Sequence, residues 1–153
     1  MDISSPRLAT DGDAEALIPL FCSGAEGLAL AAHVCTPENR ENLLRGLKRK
    51  CAVGLVWMVD IRSIPAGMLI LDHINPFRPD IFVVAVAENL RGQGIGPGLV
   101  RHIQAMPAVN CLRAEARNPS AKGMLKKCRF RSNRYKSAVG FPYMYWSQGE
   151  GGA

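Results

Sequence analysis

The chain lacks a C-x-x-C pair. Its cysteines, Cys22, Cys35, Cys51, Cys111 and Cys128, stand far apart, are odd in number, and form no ligand cluster with His33, His73 or His102. That spacing argues against a metal site, and against a disulfide framework, which belongs to small chains that cannot bury a sufficient core. Reduced thiols in a cytosol are the expectation. There is no apolar run long enough to span a bilayer, and Met1 to Arg7 is polar and acidic where a secretory leader would have a basic start and an apolar stretch. A soluble, cytoplasmic protein with no membrane partner is expected. Internal repeats and low-complexity segments are absent as well. Acid is scarce in one half: Arg91 to Lys136 holds eleven Lys or Arg residues against Glu115 alone, within a net charge of +6. Such a half either docks something anionic or is a solvated basic face. No RNP-like, zinc or helix-turn-helix signature accompanies the charge, so nucleic acid is not expected as a partner.

What is present suits one compact domain. With 153 residues, 48% of them apolar, the chain can bury a sizeable core, read as a single domain 1–153 with its core at about 6–147 and a frayed tail at 148–153. Arg7 to Thr10 reads as a short extended piece. Thr10 with Asp13 makes a capping-box pattern ahead of a first helix carrying Ala14, Leu17, Ile18 and Phe21 at helical spacing. Thr36, Pro37, Glu38 and Glu41 open a second helix that ends on Arg45, Lys48, Arg49 and Lys50, with Leu43, Leu44 and Leu47 as its buried stripe. From Cys51 the period changes. Ala52 to Val59 and Ala66 to Leu71 read as strands joined through Asp60 to Pro65, and a loop from His73 to Asp80 leads to a third strand, Ile81 to Ala87. All three look buried on both faces. A helix from Pro97 to about Met106 turns Leu99, Val100 and Ile103 inward and Arg101, His102 and Gln104 outward. Val109 to Arg117 alternates like a half-buried strand, Asn118 and Pro119 open a last helix to about Cys128, and Phe141 to Trp146 is a final strand.

Between the third strand and the following helix, Gly92, Gly94, Gly96 and Gly98 alternate along Val84 to Gly98. Residues without a Cβ permit positive φ and let backbone N–H groups approach a ligand, while the helix start adds free donors and a positive dipole end. The turn is built for phosphate. It is not a Walker loop, because Pro97 and Gly98 stand where Lys and Ser or Thr would be needed. It is not the dinucleotide fingerprint either, which would require Gly at Pro97 or at Leu99.

Arg91, Gly94 and Gly96 give R-x-x-G-x-G, which resembles the coenzyme A pyrophosphate loop of the GNAT N-acetyltransferases. The likeness extends along nearly the whole chain: Arg7 to Phe21 is similar to the family's opening strand and helix, the element order agrees through Trp146, and N-P-S-A from Asn118 to Ala121 is similar to the start of its motif B helix. The resemblance implies an α+β (α/β layered) GNAT fold, a mixed, mostly antiparallel central sheet of about six to seven strands flanked by about four helices. It also implies acetyl-coenzyme A as cosubstrate and an amine of a small molecule or protein as acceptor, by direct attack on the thioester. Homodimers are frequent in the family, a pairing that this chain does not announce by itself.

Carried onto these residues, the resemblance assigns the pantetheine arm and thioester carbonyl to the main chain of Val84, Ala85 and Val86. The pyrophosphate goes to Gly92, Gln93, Gly94, Ile95, Gly96 and Gly98 with charge from Arg91. Asn118 corresponds to the residue whose side chain contacts pantetheine, and Lys122, with Lys126 and Lys127, is a candidate for the 3′-phosphate; a solvated helix face is the alternative for these lysines. Asp80 is the candidate general base, with Glu88 and His73 as alternatives. The family's usual Tyr, which protonates the leaving thiolate, is replaced by Leu125. Tyr135, Tyr143 and Cys128 are the candidate substitutes, and a thiol pKa near ~8.5 makes the thiolate a tolerable leaving group without an acid. The family's Gly before Phe is replaced by Arg129 before Phe130, so Arg129 to Lys136 is expected to depart in shape. A GNAT-like domain that binds coenzyme A without turnover is the rival reading.

Overall fold

Arg7 is where the chain first takes up regular structure, in the computed structural model, which describes residues 2–24, 34–73, 75 and 77–149. Among the described residues seven strands run β1 Arg7–Leu8, β2 Val56–Ile61, β3 Ile64–Asp72, β4 Asp80–Val86, β5 Cys111–Glu115, β6 Arg131–Lys136 and β7 Pro142–Ser147. The helices among the described residues are α1 Ala14–Gly24, α2 Arg40–Ala52, α3 Ile95–Gln104 and α4 Pro119–Lys127. The sheet order is β1-β2-β3-β4-β5-β7-β6. Four of its pairings, β1–β2, β2–β3, β5–β7 and β6–β7, are antiparallel, and β4–β5 is parallel. This is the mixed α+β sheet implied above. Two compact units divide the chain, Met1–Ile70 with Val83–Gly96, and Leu71–Phe82 with Pro97–Ala153.

In the first unit the capping box forms. The Asp13 carboxylate accepts from the Thr10 backbone N–H at 2.8 Å and takes the Arg7 guanidinium on both oxygens, 2.9 and 3.2 Å. The helix that follows buries Ala14, Leu17, Ile18, Leu20 and Phe21. A short 3₁₀ turn, Pro37–Asn39, precedes α2, with Thr36 in extended backbone at its cap position. The stripe of α2 is Leu43, Leu47 and Cys51, not Leu43, Leu44 and Leu47, because the helix continues to Ala52 and the i, i+4, i+8 row faces inward. The strand assigned from Ala52 therefore starts only at Val56.

The β2–β3 connection is tighter than the sequence suggests. Ile61 pairs with Ile64, so Arg62 and Ser63 alone make the turn, both with positive φ (52° and 64°). Those are the dihedrals a two-residue hairpin of matching twist demands, here met without Gly or Asn. Pro65 sits next to a register shift at Val59/Asp60, a place where a ladder N–H is dispensable. Of the three apolar strands only β3 is buried continuously, from Ala66 to Leu71. In β4 burial alternates, with Ile81, Val83 and Ala85 buried and the residues between them half-buried. Two faces of different exposure are what a strand beside a binding edge needs.

In the second unit Leu99, Val100 and Ile103 of α3 are buried, as are Leu112, Ala114 and Ala116 on one side of β5. Gln104, read as outward, donates from Nε2 to the Cys128 carbonyl at 2.7 Å. The segment after Phe130 is strand β6, every residue of it exposed. Its ladder to β7 shifts between Ser132 and Lys136. Nothing of its six residues shows the alternation that marks a half-buried strand. His33 and most of the Cys22 to Cys35 segment lie outside the described residues, as do Ile74, Pro76 and the tail from 150 on.

Candidate cofactor and acceptor site

The junction of β4, the glycine turn and α3 divides the four glycines into two kinds. Gly92 and Gly94 have φ of +80° and +84°, which residues with a Cβ rarely adopt. Gly96 and Gly98 carry no such demand. A Cβ on Gly96 would touch Val84 and Val86 at an ordinary 3.7 Å, and one on Gly98 would meet nothing within 4 Å. Their contribution is an open backbone. The helix begins at Ile95, two residues before the expected Pro97, so Pro97 lies within the first turn, where its missing N–H would have had no intrahelical partner. Ile95 and Gly96 then contribute unpaired first-turn N–H groups at a positive dipole end, while Gly98, the fourth helical residue, falls where its own N–H meets the Gly94 carbonyl in the i→i−4 pattern.

The other face of β4 is pressed by α1. A Cβ on Gly24 would stand 2.5 Å from Ala85 Cβ and 3.0 Å from Val83 Cγ1. Arg91 is exposed, with Nη2 donating to Ser23 Oγ at 3.1 Å, so the last turn of α1 is tied to the glycine turn. Glu88 is exposed in a 3₁₀ turn, Glu88–Leu90.

In the second unit, Asn118 caps α4 by accepting the Ala121 N–H on Oδ1 at 2.7 Å. Its amide NH₂ is the end that can reach a ligand. Lys122 is half-buried, and Lys126 and Lys127 are exposed in the last turn. Leu125, in place of the family's Tyr, is 2% exposed and so is a core residue. Where a glycine is usual, Arg129 takes φ 69°. Phe130 N–H bonds the Leu125 carbonyl and Arg129 N–H the Lys126 carbonyl, both at 3.0 Å, which is a Schellman ending. Arg129 holds this left-handed conformation with a full side chain and so bears its strain.

The parallel pairing of β4 with β5 is confined to Asp80↔Arg113 and Ile81↔Ala114. At its first rung Asp80 receives the Arg113 guanidinium on both oxygens, from Nε and Nη2, each at 2.8 Å. The carboxylate raises the Arg113 pKa further above its ordinary value. Arg113 Cζ lies 4.0 Å from the Tyr143 ring centroid, a cation–π distance. Arg78 Cζ is 5.7 Å from the Tyr145 ring. Just beyond the last rung, Arg117 Nη2 donates to the Phe82 carbonyl at 2.9 Å. Burial pushes the Arg117 pKa down. Asp80, Arg113, Glu115, Arg117, Tyr143 and Tyr145 thus form a polar wall. Tyr135 is not part of this cluster: it is 56% exposed on β6, with Arg134 over its ring. His73 is exposed too.

Beside Asp80 and Tyr143, both candidates from the sequence, the structure sets Arg113, Glu115 and Arg117, which the sequence did not single out. Their alternation with buried Leu112, Ala114 and Ala116 was visible; what they face depends on a parallel register that no local pattern encodes. Among the described residues no group of three His, Cys, Asp or Glu side chains is placed to hold a metal ion.

Residues 29–130 match the acetyltransferase (GNAT) family. The chain belongs to the GNAT family. Its fold is that of solved acetyltransferases. The PaiA N-acetyltransferase of Thermoplasma acidophilum, solved with coenzyme A, superposes with a TM-score of 0.75 at 15% identity over 96% of this chain and 99% of that one. YncA of Salmonella typhimurium, described as a putative acetyltransferase with acetyl-CoA, gives 0.72 at 17% identity over 100% and 98%. The ribosomal-protein-alanine N-acetyltransferase of Brucella melitensis gives 0.71 at 23% identity over 94% and 99%. No curated protein matches. Within this GNAT chain, the R-x-x-G-x-G loop of Arg91 to Gly96 falls inside the matched residues.

Proposed function

We propose that this GNAT chain transfers an acetyl group from acetyl-coenzyme A to a primary amine. One observation carries the reading: a strand ends in a turn with two positive-φ glycines and runs directly into a helix whose first N–H groups have no intrahelical partner. That the family match, residues 29–130, draws on both compact units supports reading the chain as one acetyltransferase domain.

Bound acetyl-coenzyme A would supply an activated thioester. The main chain of Val84 to Val86 orients the acyl group, and backbone donors there stabilise charge developing on its oxygen. The N–H groups of Gly94, Ile95 and Gly96 hold the diphosphate and Arg91 adds charge, Gly98 keeps the helix start free of a side chain, and Asn118 and Lys122 are the further cofactor contacts that the family resemblance implies. The acceptor must be neutral to attack. Asp80 is half-buried, and each oxygen keeps a lone pair beyond the one given to Arg113, so it accepts the proton directly or through water. Glu88, exposed in its turn, remains the alternative. For the leaving thiolate, Tyr143 under Arg113 is better sited than exposed Tyr135. A cytoplasmic setting accords with free thiols at all five cysteines, and no helix among the described residues is long and apolar enough to cross a membrane.

The test is thiol release from acetyl-coenzyme A over an amine panel, beside calorimetric binding of coenzyme A. Failure to bind the cofactor at millimolar concentration removes the reading. Tight binding with no thiol release on any amine supports instead a coenzyme A sensor or scaffold, which buried Leu125 in the acid's position favours.

A further inference from the structure

Glu115 and Arg117 lie two residues apart on β5 and its end, on the same side as Arg113 and just past the last residue paired with β4. Among the described residues Glu115 Oε2 and Arg117 Nε are buried with no hydrogen-bond partner, as is Arg78 Nε. Buried polar atoms are paired in the great majority of cases, so an acceptor and a donor left open on neighbouring residues call for a ligand. They do not satisfy each other. The approach between the two side chains is Glu115 Oε1 to Arg117 Nη2 at 3.9 Å, too long for a hydrogen bond. Nη2 is already committed to the Phe82 carbonyl at 2.9 Å. That tie anchors the guanidinium while Nε stays buried without a partner.

The chemistry of the pair narrows the ligand. One positive and one negative side chain together ask for no net charge. A carboxylate would meet Glu115, and an ammonium would meet Arg117, whose side chain is only 11% exposed. A neutral group with one donor and one acceptor suits both. We propose that Glu115 and Arg117 bind a secondary amide, its N–H donating to Glu115 Oε2 and its carbonyl accepting from Arg117 Nε. This rests on the acetyltransferase reading, under which two sources carry such an amide: the pantetheine arm of coenzyme A and the peptide chain of a protein acceptor.

Calorimetric titrations of the full chain separate them. The probes are coenzyme A, adenosine 3′,5′-bisphosphate, which lacks the arm, and, on cofactor-saturated protein, tetra-alanine and n-butylamine. Arg117→Lys keeps a positive charge and an N–H for Phe82 but removes the Nε donor. Glu115→Met removes the acceptor, and Glu115→Gln keeps one. If the arm is bound, Arg117→Lys and Glu115→Met weaken coenzyme A about tenfold while the bisphosphate stays within twofold. If the peptide is bound, tetra-alanine weakens about tenfold while coenzyme A and n-butylamine do not change. In either case Glu115→Gln stays within threefold of wild type. The proposal is overturned if coenzyme A and tetra-alanine both stay within twofold in the two variants, or if the bisphosphate weakens equally. Wild-type protein that binds neither coenzyme A nor the bisphosphate sinks the acetyltransferase reading itself, a different outcome from a cofactor that binds with the variants unchanged.

Discussion

Gly94 and Gly98 share a motif but answer to different physics. At Gly94 the constraint is conformational, φ +84°, so Gly94→Ala should cost about 1–2 kcal/mol in denaturant unfolding and weaken coenzyme A. Gly98 is helical with open space around it, and Gly98→Ala should raise stability by about 0.5–1 kcal/mol. If its backbone approaches the diphosphate, the same change lowers coenzyme A affinity; a gain in both would show that no ligand comes near. Arg129 is the converse. Held at φ 69°, it should give way to glycine with a gain of about 0.5–1 kcal/mol, measured as a higher unfolding midpoint. For Asp80, the expected result of Asp80→Asn is a fall in kcat of about 10²–10⁴ with the KM for acetyl-coenzyme A little altered, whereas Tyr135→Phe leaves both near wild type. An Asp80→Asn variant of full activity would hand the proton to Glu88 or to water.

Among the elements, α1 is fastened at both ends. At its C-terminus Gly24 lies so close to Ala85 that Gly24→Ala must shift either the helix end or β4, and about 1–3 kcal/mol of destabilisation is expected. Since β4 carries the proposed acyl-binding backbone, coenzyme A affinity should fall as well. At the N-terminal end Arg7 holds the Asp13 carboxyl at about 2, well below the ordinary aspartate value. A depressed folded pKa means that this contribution is fully present above pH ~4 and is lost as the pH falls toward 2. The pair is partly solvated, so its contribution is on the order of 1 kcal/mol or less. Thermal unfolding followed from pH 5 to 2 should show a steeper decline for wild type than for Asp13→Asn; equal slopes would mean the pair is not linked to folding. The elements also differed in how far they could be read. The capping box, the α3 stripe and the alternation of β5 were legible because each depends on residues within a turn or two. The all-exposed edge strand β6 was not, because an element with no buried face has no hydrophobic period to read.

For the whole molecule, burial makes a prediction about its thiols. Cys51 and Cys128 are buried and their pKa values are raised by that burial. Cys22 is pushed up to about 12, chiefly by burial and then by its hydrogen bond with Cys35. Native protein should therefore leave Cys51 and Cys128 unreacted with a small disulfide reagent at neutral pH, all five thiols titrating only after unfolding. Rapid native labelling of Cys51 would contradict the α2 packing described here.

The order of strand, glycine turn and helix, and with it the proposed diphosphate grip, was determined by the sequence alone. Positive φ at Gly92 and Gly94 and the free donors of a helix start are local properties, dictated by residues adjacent along the chain. The polar wall was decided only by the tertiary structure. Asp80 meets Arg113 across 33 positions and Arg117 meets Phe82 across 35, through the parallel register of β4 on β5. A register is set by which whole strand faces pack together, and side chains brought into contact that way leave no trace in the spacing of the residues that make it.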